Sequence, residues 1–184
     1  MTYIDDIVTF IATAGPKADV QASEHDWGAV RAAVDAAAEH APQADRSLAY
    51  SVGCEVAEQV AEVLDSAEAA DGWSRRSSAG LIGAGAAVGR LLDFDEAKLR
   101  HLLGLCATQA TGLRSLDNTE AGARQVAKAA SDAVEAALLV SNGFTSSADG
   151  LTGRRGLFAL MAPGATAPST FDGGTRFEKV HHGQ

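Results

Sequence analysis

Aromatic side chains are scarce in this chain of 184 residues: they account for 5% of it, although hydrophobic residues as a whole account for 46%. The core must therefore be built mainly from Ala, Val and Leu, and such small side chains favour closely packed helices. Stretches that alternate apolar and polar residues over the length of a strand are lacking, and so is any repeat of fixed period. These observations predict an all-α helical bundle, with one domain over residues 1–162 and an irregular tail over 163–184.

Basic residues are too few and too scattered to form a nucleic-acid-binding face. Lys and Arg number 15 against 24 Asp and Glu, which gives a formal net charge of −9, whereas phosphate contacts require clustered positive charge. The N-terminus carries acidic residues where a signal peptide needs basic ones, and no run reaches the roughly 18 apolar residues of a membrane span. We therefore predict a cytoplasmic protein without nucleic-acid or membrane partners.

Cysteine is nearly absent, and the two residues present are far apart. Cys54 and Cys106 both fall on apolar helical faces, where burial is expected, and their separation matches neither a disulfide framework nor metal-ligand spacing. His181 and His182 form a pair in the tail without a neighbouring Cys or acidic cluster. A loose tail is the preferred interpretation and an adventitious metal site the alternative, so we expect no metal and no cofactor.

Apolar residues recur at helical spacing through most of the chain. Capping residues indicate where the helices begin and end. Helices are expected to start at Asp26, at Ser77 or Ser78, and at Asp95, and one helix is expected to end at Asn142-Gly143. On the third helix, Glu55 and Gln59 fall outside the apolar stripe. The sixth helix is expected to bury Val126, Ala130, Val134 and Leu138. The predicted helices cover residues 2–14, 26–41, 47–64, 77–92, 95–110 and 119–141, with a short one near 153–161.

The stretch GWSRRSSAGLIGAGAAVGRLLDF, residues 72–94, concentrates glycine within one predicted helix. Its glycine spacing resembles a dinucleotide-binding fingerprint, but that chemistry needs a preceding strand, and here SRRSSA precedes the glycines. Gly within a helix costs about 1 kcal/mol relative to Ala, so several of them indicate close helix packing, either within the chain or across a dimer. The residues expected at this interface are Gly80, Gly83, Ala84 and Ala87.

Four polar residues precede the small-residue run: Arg75, Arg76, Ser77 and Ser78. A helix N-terminus offers free amides and a positive dipole end, so a carboxylate could bind there. The alternative is that Ser78 caps the helix and both arginines are solvated. A small carboxylic acid is therefore a candidate ligand of this segment.

The segments GWSRRSSAGLIGAGAAVGRLLDFDEAKLRHLLGLCATQATGLRS (72–115) and AKAASDAVEAALLVSNGFTSSADGLTGRRGLFALMA (127–162) resemble the helical domain of the MmgE/PrpD family. AYSVGCEVAEQVAEVL (49–64) resembles the preceding helix, so the resemblance spans about 45–162. The family includes 2-methylcitrate dehydratases, cis-aconitate decarboxylases and iminodisuccinate epimerases. These enzymes act on small polycarboxylates without a cofactor. The resemblance implies a helical bundle that lacks the family's lid domain.

The chain departs from the family pattern at the positions that carry its chemistry. The family usually has an active-site His directly after Gly-Trp, where this chain has Ser74. Aligned without gaps from Gly112, the family's Lys, His and Arg positions hold Gly122, Gln125 and Lys128. The family's upstream paired-Asp and His motif also has no counterpart here.

Two hypotheses follow from the resemblance and its departures. The preferred one is a non-catalytic or accessory subunit that pairs with itself, or with a larger lyase or isomerase of the family, through the small-residue helix. The alternative is a reduced lyase or isomerase that acts on a small carboxylic acid at a rebuilt site. Its candidate catalytic residues are Asp117, Glu120 and His101.

Overall fold

The computed structural model describes residues 2–15, 26–67, 71–165, 167–168 and 170–171. This part of the chain contains α-helices and two short 3-10 turns, Ala38–His40 and Arg114–Leu116, without any β-strand. The all-α prediction is confirmed. None of the described helices combines the length and apolar content that a membrane crossing would require. The helices are α1 (Tyr3–Thr13), α2 (Gly28–Ala37), α3 (Arg46–Asp65), α4 (Arg75–Leu91), α5 (Glu96–Gln109), α6 (Glu120–Ser141) and α7 (Leu157–Met161).

Helix α4 lies at the centre of the bundle, where it packs against α2, α3, α5 and α6. Its glycines explain this position, because they let neighbouring backbones come close. A Cβ atom added to Gly83 would overlap the carbonyl oxygen of Gly53 and lie 2.6 Å from the Cβ atom of Ala57. The predicted close packing is therefore present within the chain.

Of the two alternatives for the small-residue helix, this arrangement shows packing within the chain. Gly80, Gly83, Ala84 and Ala87 are all buried by the chain's own helices, and their role in pairing with a second chain stays a prediction. The sequence pattern indicated close packing correctly, but it could not tell which helices would do the packing.

Several predicted helix ends are confirmed. The Asp95 carboxylate accepts a 2.9 Å hydrogen bond from the Lys98 amide at the start of α5. Asp93, just before it, has a positive φ of 52°, and Gly143 after α6 has a φ of 85°. These left-handed residues reverse the chain at the ends of α4 and α6.

Two predicted caps are wrong. Helix α4 begins at Arg75 with Ser74 at the N-cap position, so Ser77 and Ser78 lie inside the helix. Trp27 rather than Asp26 occupies the N-cap position of α2. Helix α4 starts earlier than the local sequence indicates, because the Ser74 amide is bound to the Gly112 carbonyl of a distant segment. The shift at α2 is one residue, a difference that is common at helix ends.

Helix α6 buries a different face from the one predicted. Leu138 is 38% exposed, and Val126 and Val134 are only partly buried. Alanine allows a closer approach to the glycine-rich α4 than Val or Leu does, so the larger side chains turn away from the core. The side chains that α6 buries are Ala129, Ala130, Ala133, Ala136, Ala137 and Val140.

Helix α3 is buried around more of its circumference than its apolar stripe indicates. Glu55 and Gln59, one turn apart, are both buried, and the Gln59 amide donates a 2.6 Å hydrogen bond to the Glu55 carboxylate. This bond helps to compensate the loss of water around both groups.

Part of the predicted irregular tail packs against the N-terminal helix. The Phe171 ring lies 5.9 Å from the Tyr3 ring and 5.2 Å from the Phe10 ring, centroid to centroid. Its backbone N–H also donates a 3.2 Å hydrogen bond to the Asp6 carboxylate. His181 and His182, the pair considered as a metal site, lie outside the described residues.

Candidate functional site

The two motifs that carry the family resemblance lie side by side. Trp73 and Leu113 form an isolated antiparallel bridge, in which the Ser74 amide donates to the Gly112 carbonyl and the Arg114 amide donates to the Gly72 carbonyl, each at 3.0 Å. The Gly-Trp-Ser segment before α4 is thus joined to the Gly-Leu-Arg segment after α5. We call this pair of segments, residues 71–77 and 111–118, the bridge site.

Gly112 is required at the bridge site for two reasons. Its φ of 121° is a conformation that residues with a side chain rarely adopt. A Cβ atom at this position would also overlap the hydroxyl of Ser77 and lie 3.2 Å from the Cβ atom of Ser74. The two segments can therefore approach this closely only with glycine at position 112.

Ser74 lies at the centre of the bridge site and is fully buried. Its carbonyl accepts hydrogen bonds from the amide and the hydroxyl of Ser78, at 2.9 and 2.7 Å. Its own hydroxyl has no hydrogen-bond partner among the described residues. A buried hydroxyl in this state is costly, which makes Ser74 the most unusual polar group of the site.

The predicted anion-binding residues are brought to the bridge site, but each of them contacts protein oxygens. Arg75 forms an ion pair with Asp65, next to the end of α3. The Arg76 guanidinium lies 3.7 Å from the Asp26 carboxylate and donates a 3.2 Å hydrogen bond to the Asp117 carbonyl. The positive charges expected to attract a carboxylate are therefore already next to carboxylates of this chain.

The hydroxyls of the two candidate serines point to backbone carbonyls. Ser77 donates to the Thr111 carbonyl at 2.9 Å, and Ser78 donates to the Ser74 carbonyl. These bonds hold the first turn of α4 against the segment that follows α5. Carboxylate binding by Arg75, Arg76, Ser77 and Ser78 stays a prediction.

The sequence model of the MmgE/PrpD N-terminal domain matches residues 19–169, which is most of the chain. The chain belongs to the MmgE/PrpD family. The match covers α2 to α7 and extends beyond the resemblance recognised over residues 45–162. No curated protein sequence is similar enough to this chain to count as a match.

Gly122, where the MmgE/PrpD pattern implies a Lys, has no space for a side chain. It lies in the first turn of α6, and a Cβ atom there would overlap the Leu116 carbonyl oxygen and lie 2.8 Å from the Asp117 carbonyl oxygen. The Gly122 amide is also occupied, because it donates a hydrogen bond to the hydroxyl of Thr119, the N-cap residue. The chain at 116–119 is thus folded tightly over this position.

The other two MmgE/PrpD positions also hold residues with structural contacts. The Gln125 side chain accepts a 2.7 Å hydrogen bond from the Leu113 amide and donates to the Leu113 carbonyl at 3.3 Å. Lys128 forms an ion pair with Asp132 one turn further along α6. Gln125 therefore fastens the bridge site to α6, while Lys128 faces solvent.

Of the candidate catalytic residues, the structure places two near the bridge site and one elsewhere. Asp117 is half-buried beside Arg76, and Glu120 is exposed at the first position of α6. His101 on α5 contacts Ser146 instead: its Nδ1 atom lies 3.2 Å from the Ser146 amide, and its carbonyl accepts the Ser146 hydroxyl at 2.7 Å. His101 thus anchors the chain after α6 and is not part of the bridge site.

Neither cysteine is suited to nucleophilic chemistry. Burial raises the pKa of Cys54 to about 11 and that of Cys106 to about 12. Nucleophilic cysteines need the thiolate form near neutral pH, so burial keeps both thiols in their unreactive form. Among the described residues, no three His, Cys, Asp or Glu side chains are grouped as a metal ion would require.

A small cleft lies at the opposite end of α4 from the bridge site. It has a volume of about 200 Å³ and is lined by Ala44, Asp45, Leu48, Arg90, Leu91 and Asp93. Arg90 donates a 3.2 Å hydrogen bond to the Ala14 carbonyl, and its buried Nε atom has no partner among the described residues. Arg90 is not among the site residues expected from the sequence, although a lone Arg that follows the long small and apolar run 79–89 is a recognisable signal.

Proposed function

We propose that this MmgE/PrpD-family chain is a non-catalytic helical subunit that associates with a second copy of itself or with a larger lyase or isomerase of the family. The observation that carries the proposal is the closed packing around Gly122. A catalytic Lys at this position would need the 116–119 segment to move away from α6. Gly122 thus serves close packing at the position where the family resemblance implies a Lys.

The remaining residues of the bridge site support the same function. Removing a proton next to a carboxylate requires a base and a cationic group that stabilises the developing charge. Ser74 and Gln125 cannot act as such a base near neutral pH, and Arg75 and Arg76 each face a carboxylate of this chain. Neither requirement is met by the groups that occupy the family's positions.

The second candidate function, a reduced lyase or isomerase for a small carboxylic acid, is favoured by one observation. The Ser74 hydroxyl is buried without a described partner, in a site that also holds Arg76 and Asp117. A ligand carboxylate that displaced the Arg76 contacts would gain a cation and a hydroxyl donor together. Asp117, whose backbone carbonyl contacts Arg76, is the candidate base of this alternative.

The subunit role is tested by purifying the native assembly that contains this chain from its host. Native mass spectrometry is expected to find the chain as a homo-oligomer or in a stoichiometric complex with a longer family member. In parallel, small di- and tricarboxylates are incubated with the purified chain in D2O and followed by proton NMR. We expect neither product formation nor exchange of the protons next to the carboxylates.

Two results would overturn this assignment. Recovery of the chain only as a monomer would remove the subunit role. Proton exchange that is lost in an Arg76→Ala variant, and retained in an Arg154→Ala variant at an exposed position away from the bridge site, would establish the enzymatic alternative.

A further inference from the structure

The outward face of α6 carries exposed apolar side chains near its C-terminal end. Leu138 is 38% exposed, Leu139 is similarly exposed, and Phe144, which follows the helix, is 53% exposed. The Phe144 amide donates to the Leu139 carbonyl at 3.0 Å, which holds the ring next to the helix end. These three residues account for most of the exposed large apolar side chains among the described residues.

The charges on the central part of this face, residues 124–138, are divided between its two ends, one turn or more inside the exposed Glu120 at the start of the helix. Arg124 and Lys128 are exposed in the N-terminal half, Glu135 is exposed in the C-terminal half, and the small exposed residue Ser131 lies near the middle. At 1.5 Å per residue, Arg124 and Leu138 both lie about 10 Å from Ser131, in opposite directions along the helix. The face is therefore complementary to a copy of itself turned end to end.

We propose that the outward face of α6 is a self-association surface that binds α6 of a second copy in antiparallel orientation about Ser131. In this arrangement Glu135 of one copy lies beside Arg124 and Lys128 of the other. Leu138 lies against Ala127 and the alkyl part of Arg124. A parallel pair would instead bring like charges together, so the charge pattern selects the antiparallel, two-fold symmetric arrangement.

The exposed apolar residues at the two ends of α6 fit the same arrangement. Leu113 is 54% exposed and is fixed near the N-terminal half of α6 by its two hydrogen bonds with Gln125. Antiparallel pairing brings this end of one copy close to the Leu139 and Phe144 end of the other. Each apolar cluster would then be removed from water by the opposite cluster.

This inference rests on the proposed function in its self-pairing form, and it names the surface involved. The test is sedimentation equilibrium of the full chain over a concentration series, with Leu138→Glu as the disrupting variant. Leu160→Glu is the matched control, because Leu160 is the most exposed large apolar side chain described, at 72%, and lies on α7. Circular dichroism verifies that both variants fold.

We expect a wild-type dimer, a dissociation constant raised at least about tenfold in Leu138→Glu, and no change in Leu160→Glu. Charge reversal gives a second, independent readout. Arg124→Glu and Glu135→Lys should each weaken the homodimer, and an equimolar mixture of the two should form a heterodimer, because both charge contacts are then attractive.

Two outcomes would overturn the inference, and they have different consequences for the proposed function. A wild-type dimer that Leu138→Glu and the charge reversals leave intact would place the interface elsewhere and leave the subunit role in place. A wild-type monomer at every concentration would exclude self-association by any surface. The native assembly would then decide whether the chain pairs with a longer relative.

Discussion

Gly53 on α3 and Gly83 on α4 each occupy the space that a side chain on the other would need. A Cβ atom on Gly53 would lie 2.7 Å from the Gly83 carbonyl oxygen, and a Cβ atom on Gly83 would overlap the Gly53 carbonyl oxygen. The two helices are thus in backbone contact at this point. Backbone atoms cannot rotate away as the end of a long side chain can, so this contact has little tolerance for added volume.

Replacing Gly83 by Ala is expected to destabilise the fold despite the better helix propensity of Ala. Overpacking a core typically costs about 1–3 kcal/mol, which outweighs the roughly 1 kcal/mol gained by removing a helical Gly. The matched control is Gly80→Ala, whose new Cβ would meet Ala29 at an ordinary 3.4 Å. Urea unfolding should show a lower midpoint for Gly83→Ala and an unchanged or higher one for Gly80→Ala. Equal midpoints would contradict the backbone contact.

Both cysteines are expected to resist alkylation in the folded protein. Burial raises the pKa of Cys54 to about 11 and that of Cys106 to about 12, whereas an exposed thiol titrates near 8.5. At pH 8 the labelling rate of the folded chain should be at least roughly a hundredfold below that of the chain unfolded in guanidinium. Mass spectrometry after iodoacetamide treatment measures both rates. Rapid labelling of Cys106 in the folded chain would show that the centre of the bundle opens readily.

Stability at acidic pH is expected to depend on Asp5. Its pKa is lowered to about 2, first by the hydrogen bond from the Thr2 amide and then by the Thr2 side chain and Arg100. Because the folded pKa lies below the unfolded value of about 3.9, the carboxylate stabilises the fold above that pH, and the contribution is lost as the pH falls towards 2. The melting temperature of Asp5→Asn should therefore lie below wild type at pH 6 and approach it at pH 2. A difference that did not change with pH would rule out this origin.

The prediction of an anion site at the start of α4 names Arg75 and Arg76 as the residues that bind a small dicarboxylate. Calorimetry with succinate measures this binding, and the double variant Arg75→Ala, Arg76→Ala should abolish it because both guanidinium groups are removed. Arg114→Ala is the control, since Arg114 also pairs with a carboxylate, Asp71, in the bridge site. Binding that is unchanged in the double variant would remove the anion site from the start of α4.

The helix ends that depend on local interactions could be predicted from the sequence. Asp95 caps α5 with its own carboxylate, and Gly143 adopts the left-handed conformation that glycine allows. Both effects act within a few residues of the chain. The start of α4 could not be predicted in this way, because Ser74 is held by the Gly112 carbonyl from a distant segment.

The faces of the helices were harder to predict than their boundaries. Hydrophobicity favours Val134 and Leu138 for the core of α6, but the short distance to α4 selects alanines instead. The same limit applies to the candidate site. The family resemblance predicts a departure at Gly122, but only the coordinates place two carbonyl oxygens where its side chain would be.

The central position of α4 determines how the chain can open. Helices α1, α2, α3, α5 and α6 all pack against it, so its amide protons can exchange with deuterium only when several of these helices separate at once. Amides of this kind exchange at the rate set by global unfolding, whereas helix ends and loops exchange through local fluctuations. Residues 79–89 should thus form the slowest-exchanging segment, and their exchange would measure the stability of the entire bundle.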